Sequence, residues 1–160
     1  MSAKPTRRGL LRSVAAATAA LGMPISIATR PTPISAAPAD MRAAIKRITG
    51  GAEPKFGRVK LGIPPLSENG NTVPITVTVE SPMTAQDHVK AIHVVNEKNP
   101  QPHVISAWLG PRAGQAMLQT RARLSDTQTI IAIAQLSDGS FWMDSTSVIV
   151  TLGACLEEPI

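Results

Sequence analysis

The chain has 160 residues, of which 43% are hydrophobic, so it is long enough for one hydrophobic core and too short for two. Its formal net charge of +5 comes from the front of the chain, because five of the 16 Lys and Arg and none of the 11 Asp and Glu precede Asp40. The balanced remainder has no net positive field to attract phosphates, so the charge distribution argues against a nucleic-acid partner.

The front of the chain has the pattern of an export signal. "TRRGLLR" at residues 6–12 places paired arginines before an apolar run over residues 14–28, and small residues ending in "AAPAD" follow. This pattern predicts a twin-arginine signal peptide over residues 1–39 and a periplasmic protein. Cleavage is expected after residues 37–39, with residues 26–28 as the alternative site, and a basic tail on a cytosolic protein is the alternative interpretation. The apolar run is shorter than the roughly 20 residues that span a bilayer, so no stable membrane anchor is expected.

One helix and a series of strands are predicted after the signal. Asp40 is a suitable N-cap, apolar residues follow it at helical spacing, and Gly50 and Gly51 end the pattern, which predicts a helix over residues 40–49. Beyond this helix the apolar residues recur with a period of two. Strands are predicted over residues 59–61, 72–79, 89–95, 103–109, 116–124, 127–136 and 145–152, with an Asp-Gly hairpin turn at residues 137–140.

These elements predict an all-β domain over residues 40–152 with one short N-terminal helix. Seven or eight short strands separated by turns are typical of an immunoglobulin-like antiparallel β-sandwich. Pro74 lacks a backbone N–H group, so the strand over residues 72–79 is expected at a sheet edge. The Cys and Trp spacing of antibody domains is absent, so the similarity concerns architecture alone.

The polar residues show no pattern of a metal site or an active site. His88, His93 and His103 match no compact ligand spacing and lie on different predicted elements. The carboxylates are scattered without an acid and a base at recognisable spacing, and no nucleotide-binding loop or nucleophile motif occurs. We therefore expect neither a metal nor another cofactor, and no catalysis by this chain alone.

Cys155 is the only cysteine, and it stands five residues from the C-terminus. An exported protein with one cysteine forms no internal disulfide, so the thiol pairs with another chain, stays free or carries a group. A thiolate can hold a sulfur fragment through an S–S bond, and attack at sulfur releases the fragment again. With Gly153 and Ala154 as a flexible arm after the last predicted strand, the thiol could project about 10 Å into a neighbouring enzyme. An incidental cysteine on a frayed end is the alternative.

Two long segments carry a resemblance to a known family. Residues 63–104 contain "ENGNTVP", "SPMT" and "KAIHV", and residues 120–143 contain "SDGS". These segments resemble SoxY, the sulfur-carrier subunit of the bacterial thiosulfate-oxidation system, and the similarity extends from about Asp40 to Cys155. The exported leader and the predicted sandwich agree with that family.

The resemblance implies a division of labour between a carrier and its partners. A SoxZ-like subunit forms a heterodimer with the carrier, and a haem enzyme links thiosulfate to the carrier cysteine. A hydrolase then removes sulfate, and a sulfane dehydrogenase oxidises the remaining sulfur. Cys155 occupies the position of the carrier cysteine, so the resemblance implies a covalent carrier and not an enzyme.

The C-terminal arm departs from the family pattern. The family ends in Gly-Gly-Cys-Gly-Gly, whereas here Gly153 and Ala154 precede the cysteine and "LEEPI" follows at residues 156–160. Leu156 and two glutamates thicken the arm, and the carboxylates oppose thiolate formation and repel an anionic adduct. We expect a sulfur carrier that uses Cys155. A SoxY-like interaction module that no longer carries sulfur is the alternative, and an independent thiol enzyme ranks last.

Three further features allow two interpretations each. Arg121 and Arg123 share a strand face, and they are either solvated edge charges or a contact for an acidic partner. Trp108 and Trp142 either mark a subunit interface or fill the sandwich. The helix that begins at Asp40 packs on its own sheet or on a partner chain.

Overall fold

A computed structural model describes residues 38–154, except for the side chain of Pro38. The expected signal peptide therefore lies outside the described residues apart from its last two positions, and Cys155 lies outside them as well. Within residues 38–154, no helix is long and apolar enough to cross a membrane.

Helix α1 spans Pro38–Thr49 and precedes the strands. Proline suits the first turn of a helix, because the N–H group that it lacks has no partner there. The helix ends where Gly50 adopts a φ of 66° and the Gly51 N–H donates to the Lys46 carbonyl at 3.1 Å, which forms a Schellman-type cap. The predicted helix is confirmed, and it begins two residues earlier than expected.

Helix α1 packs on the sandwich of its own chain. Its apolar side chains are Met41, Ala44, Ile45 and Ile48, and they pack with Val95, Ile131, Ile133, Phe141 and Met143 of the strands. Of the two interpretations of this helix, packing on its own sheet is therefore correct.

Nine strands follow α1 within the described residues, and they form two sheets. The larger sheet has the order β1-β9-β8-β5-β6, with β3 also paired to β9, and the smaller sheet has the order β2-β4-β7. The pairings are antiparallel except for the short parallel contacts of β1 and β3 with β9. The all-β, immunoglobulin-like sandwich is confirmed. The strands are β1 Lys55–Phe56, β2 Val59–Gly62, β3 Leu66–Ser67, β4 Val73–Val79, β5 Val89–Asn96, β6 His103–Trp108, β7 Met117–Ala122, β8 Gln128–Leu136 and β9 Phe141–Val150.

Aliphatic side chains fill the space between the two sheets. Strand β4 of the smaller sheet is buried at every second residue, as its alternating sequence predicts. Strands β5 and β8 of the larger sheet are buried on both faces, because α1 covers the face that points away from the smaller sheet. The core residues of these three strands are Val73, Ile75, Val77, Val79, Val89, Ile92, Val94, Ile130, Ala132, Ala134 and Leu136.

The position of β4 shows that the expected edge location of this strand is wrong, because β4 lies between β2 and β7. The Val79 N–H donates to the Ala116 carbonyl at 2.9 Å, on the β7 side. Because backbone groups alternate between neighbours along an antiparallel strand, the nitrogen of Pro74 faces the β2 side. Strand β2 pairs only with residues 76–79, so no backbone donor is required from Pro74.

Two strands were not expected from the sequence, and several strand boundaries differ from the prediction. Strands β1 and β3 have two residues each, which is too short for an apolar period, and both exist through pairing with β9. Strand β9 begins at Phe141 rather than at residue 145 and ends at Val150. Its early residues pair directly with β8 across the hairpin turn.

A carboxylate on β9 joins the two sheets. The Leu61 N–H of β2 donates to Oδ2 of Asp144 at 2.8 Å in a partly buried position. The other carboxylate oxygen accepts from the Ser145 N–H at 2.8 Å. Because β2 belongs to the smaller sheet and β9 to the larger, the bond from Leu61 ties the two layers together at one side.

We predict that Asp144→Ala lowers the free energy of unfolding by about 1–3 kcal/mol, because the Leu61 N–H loses its acceptor. Asp144→Asn keeps an acceptor oxygen and should lose less. Urea denaturation followed by tryptophan fluorescence measures both variants. Equal losses in the two variants, or no loss in the alanine variant, would contradict this role of the carboxylate.

Candidate functional site

The predicted site residues lie at the end of the described range. Cys155 is outside it, and Gly153 and Ala154 are its last two residues. We call residues 151–154, which follow β9, the anchor, because their backbone is hydrogen-bonded to two loops of the sandwich. The Thr151 N–H donates to the Ser67 carbonyl at 3.1 Å, the Gly70 N–H donates to the Leu152 carbonyl at 2.8 Å, and the Ala154 N–H donates to the Leu124 carbonyl at 2.9 Å.

Two glycines allow the anchor to approach these loops closely. A Cβ atom on Gly153 would overlap the carbonyl oxygen of Ser125. A Cβ atom on Gly70 would overlap the carbonyl oxygen of Leu124 and lie 2.9 Å from the Ala154 nitrogen. Gly153 does not adopt a positive φ, so the position requires glycine for space rather than for backbone freedom.

Gly153 and Ala154, which the sequence predicts as part of a flexible arm, lie packed against the sandwich. Ala154 is only 7% exposed, and its N–H group is hydrogen-bonded to the sandwich. Backbone hydrogen bonds to the sandwich therefore extend to Ala154, two residues beyond the last predicted strand. Of the residues predicted to form the arm, these two are hydrogen-bonded or packed against the sandwich, so any reach of the thiol begins at Ala154.

Asn99 holds the loop on which the anchor rests. Its Oδ1 accepts from the Ser125 N–H at 3.1 Å, from the Ser125 hydroxyl at 3.1 Å and from Nε2 of Gln128 at 2.9 Å. Its Nδ2 donates to the Arg123 carbonyl at 2.7 Å. One amide side chain thus satisfies four polar groups and fixes the Ser125 carbonyl against which Gly153 packs.

Charged groups beside this loop are paired or hydrogen-bonded. Nζ of Lys98 lies 2.8 Å from Oδ2 of Asp126, and this bond lowers the pKa of Asp126, with a further contribution from the Thr127 N–H. The Thr129 N–H donates to Glu97 at 3.0 Å and lowers the pKa of that carboxyl group. These carboxylates stay ionised well into the acid range, so the loop keeps its bonds at neutral pH.

Sequence reasoning missed the residues that hold the anchor. Gly70 lies in "ENGNTVP", one of the phrases that carry the family resemblance, and Asn99 lies between two predicted strands. The Asn-Gly pair at residues 69–70 signals a turn, and the Asn69 side chain does accept from the Asn71 N–H at 2.9 Å. Nothing in the sequence indicated that the C-terminal segment would return to this turn.

Two of the three histidines lie within hydrogen-bond distance of the same serine hydroxyl. Nδ1 of His93 lies 2.6 Å from the Ser106 hydroxyl, and Nε2 of His103 lies 2.7 Å from the same oxygen. His88 is separate, with Nδ1 3.1 Å from the Thr84 carbonyl. Among the side chains of residues 38–154, no group of three or more His, Cys, Asp or Glu could hold a metal ion.

The two tryptophans have different surroundings. Trp108, at the end of β6, is 77% exposed and makes an edge contact with the His93 ring, with 6.4 Å between the ring centroids. Trp142 is partly buried against the core, and the cations of Lys55 and Arg58 each lie 5.9 Å from its ring. Trp142 therefore fills the sandwich, whereas Trp108 is available at the surface.

The paired arginines share one face, as expected. Arg121 on β7 and Arg123 just beyond it are both exposed, and Ala122 between them is buried. Arg121 stands opposite Pro74 on the outer face of the smaller sheet.

Comparison with models of protein families shows which family the chain belongs to. The family model described as sulfur oxidation protein SoxY matches residues 45–155. The chain belongs to the SoxY family. The match begins within α1, includes all nine strands and ends at Cys155, so the resemblance that the sequence suggested is confirmed over most of the domain.

Solved structures show the same fold. The sulfur carrier protein SoxY from Chlorobium limicola f thiosulfatophilum superposes with a TM-score of 0.59 at 24% identity, covering 71% of this chain and 98% of that one. A superoxide reductase (neelaredoxin) from Ignicoccus hospitalis gives a TM-score of 0.53 at 14% identity, covering 74% and 95%. At these identities the structural likeness establishes the fold alone. The comparison with curated proteins gave no match.

We predict that Gly153→Ala releases the anchor, because the added methyl group cannot fit beside the Ser125 carbonyl. Backbone hydrogen exchange of Ala154, measured by NMR on the full chain, should be at least about tenfold faster than in the wild type, which corresponds to about 1.4 kcal/mol of lost protection. Gly110→Ala is the matched control, because no atom lies within 4 Å of a Cβ at that position. Unchanged exchange in Gly153→Ala would contradict the close approach.

We predict that the pH dependence of stability includes a contribution from His93. Burial lowers the pKa of His93 below its usual 6.5, and the neighbouring His103 lowers this pKa further. Between the folded and the unfolded pKa the unfolded state binds more protons, so stability falls as the pH decreases below about 6.5. Thermal midpoints measured between pH 7.5 and 5 should fall less steeply in His93→Gln than in the wild type. His88→Gln controls for the loss of an imidazole, and identical slopes in all three proteins would refute the assignment.

Proposed function

We propose that this chain is a periplasmic carrier of sulfur intermediates, which it binds covalently through Cys155 and presents to separate enzymes. The observation that carries the proposal is the extent of the family match, which ends at the only cysteine of the sequence. The anchor supports it, because residues 151–154 bring the chain to the sandwich surface immediately before this thiol.

The proposed chemistry needs only a thiolate on the carrier. Loading joins the sulfur of Cys155 to the terminal sulfur of thiosulfate, and the two electrons released pass to the haem enzyme. Hydrolysis then adds one water, breaks the bond between the sulfane sulfur and the sulfonate group, and leaves a persulfide on Cys155 and free sulfate. A dehydrogenase then removes six electrons from the outer sulfur, which takes three oxygen atoms from water and becomes a sulfonate on Cys155. A second hydrolysis adds one water, releases sulfate and returns the thiol. In this scheme the partner enzymes supply every catalytic group.

The tail after Cys155 changes the electrostatics of the cargo. Glu157 and Glu158 follow the cysteine closely in sequence, whereas the family pattern has glycines there. Their charges oppose the thiolate and an anionic thiosulfate adduct, although screening by salt limits the effect at an exposed site. The active-site entrances of the proposed partner enzymes are therefore wider or more basic than entrances that accept a glycine-flanked arm.

The proposal includes export and a second subunit. The twin-arginine pattern at residues 6–12 supports export to the periplasm, and the family relationship supports a heterodimer with a SoxZ-like chain. The balanced charge from Asp40 onward gives no net positive field to attract a nucleic acid, so the proposed partners are proteins.

We predict that protein isolated from the periplasm of thiosulfate-grown cells carries sulfur-containing mass additions that disappear with reductant. Intact-mass spectrometry should show these additions on the wild type and none on Cys155→Ser, because serine cannot form an S–S bond. The same spectrum reports the N-terminus after export, and a co-purifying SoxZ-like chain reports the heterodimer.

Cells grown without thiosulfate serve as the control for this measurement. An unmodified wild-type mass in thiosulfate-grown cells, with the partner enzymes present, would contradict the carrier function. That result would favour an interaction module that retains the SoxY fold, which is the alternative suggested by the altered tail.

A further inference from the structure

Arg121 and Arg123, which we call the arginine pair, lie at the end of the smaller sheet that is next to the anchor. Arg121 is on β7, and Arg123 follows it on the same exposed face, because Ala122 and Leu124 are buried. The carbonyl of Leu124 accepts the N–H group of Ala154 at 2.9 Å. The last described residue of the anchor is therefore bonded to the residue that follows the arginine pair.

Among residues 38–154, no carboxylate forms an ion pair with the arginine pair. The ion pairs within this range are Arg58–Asp87 and Lys98–Asp126. The three strands of the smaller sheet contain no Asp or Glu, and Lys60 of β2 is a further exposed cation on the outer face of this sheet. This face therefore carries positive charge that its own strands do not balance, and it suits an acidic segment.

The chain supplies an acidic segment directly after the anchor. Glu157 and Glu158 stand in the tail "LEEPI", which begins two residues after Ala154. The hydrogen bond to the Leu124 carbonyl keeps the Ala154 Cα within about 10 Å of the Arg123 Cα, and the chain from Ala154 to Glu158 spans up to about 14 Å. Both glutamates are therefore within reach of the arginine pair.

We propose that this end of the smaller sheet binds the chain's own C-terminal tail, with Glu157 and Glu158 paired to Arg121 and Arg123. Guanidinium and carboxylate groups match in geometry, and their hydrogen bonds are strengthened by charge. A single exposed ion pair is weak, but this tail is tethered to a bound residue, so docking orders only a short segment. The contact joins two segments of one chain, so it does not rest on the proposed carrier function.

The pairing changes the electrostatic surroundings of the thiol. Unpaired carboxylates beside Cys155 oppose thiolate formation, whereas carboxylates that are paired with arginines oppose it less. The acidic tail is then compatible with a reactive thiol, although it lacks the glycines of the family pattern.

The test compares the tail in two double variants of the full exported chain, isotope-labelled for NMR. Arg121→Gln/Arg123→Gln removes the arginine pair. Arg42→Gln/Arg112→Gln is the matched control, because it removes two exposed cations, one on α1 and one in the turn before β7, and changes the net charge equally. Relaxation measurements give the backbone order parameters of the two tail glutamates.

We expect order parameters of about 0.8 for these glutamates in the wild type and the control, and values below about 0.6 without the arginine pair. In about 1 M salt the wild type should approach the latter values, because the Debye length falls to about 3 Å. A charge swap that combines Arg121→Glu/Arg123→Glu with Glu157→Arg/Glu158→Arg should restore the order parameters at both tail positions.

Alkylation of Cys155 by iodoacetamide measures the effect on the thiolate. The midpoint of its pH profile should lie about half a pH unit higher without the arginine pair and should not move in the control. The exposure of the sulfur changes the maximal rate and not this midpoint. An unmoved midpoint would contradict the electrostatic effect of the pairing.

Three results would overturn the inference. Order parameters below about 0.6 in the wild type would show that the tail is unbound. High values that persist without the arginine pair would show that the tail binds elsewhere. A protein that co-purifies with the wild type and is lost with the arginine pair, while the tail is unaffected, would show that the pair binds an acidic partner. None of these measurements requires sulfur loading, so a failure of the proposed carrier function leaves them unchanged.

Discussion

The antiparallel pairing of β8 with β9 is the interaction on which the candidate site depends. This ladder runs from Gln135 opposite Phe141 to Gln128 opposite Val148, and β9 then continues directly into the anchor. Because side chains alternate along a strand, a shift of one residue would turn Val148 and Val150 out of the core and move the anchor away from its loops. The same strand holds β1, β3 and the Asp144 bond to β2, so its register is fixed on both sides.

Glycine near a carrier cysteine can serve two opposite purposes. Without a side chain it gives the backbone freedom, which makes a pliable tether, and it also allows two backbones to approach closely. Gly153 serves the second purpose, because a Cβ atom at this position would overlap the neighbouring Ser125 carbonyl. Under the proposed carrier function, a bound arm would lose less conformational entropy when it presents its thiol to an enzyme, and it would reach less far.

The same β-sandwich fold occurs in proteins with different functions. A superoxide reductase from Ignicoccus hospitalis has a similar sandwich at 14% identity, so this arrangement of strands accompanies proteins with different names and activities. What distinguishes the present chain is the family match that reaches the single cysteine, together with the loops around Gly70 and Asn99 that hold the preceding residues. The proposed function accordingly depends on the end of the chain and its support rather than on the sandwich.

The sequence by itself determined the helix, most of the strands and the family, because these depend on local periodicity, turn residues and recognisable phrases. Val73 to Val79 alternate, Gly50 and Gly51 end the helix, and the Asp-Gly turn leads into β9. Only the tertiary structure decided that β4 is central, that His93 and His103 share Ser106, and that Gly153 is anchored rather than free. Each of these depends on contacts between segments that are distant in sequence, such as Leu124 with Ala154, and such contacts leave no periodic signal in either segment.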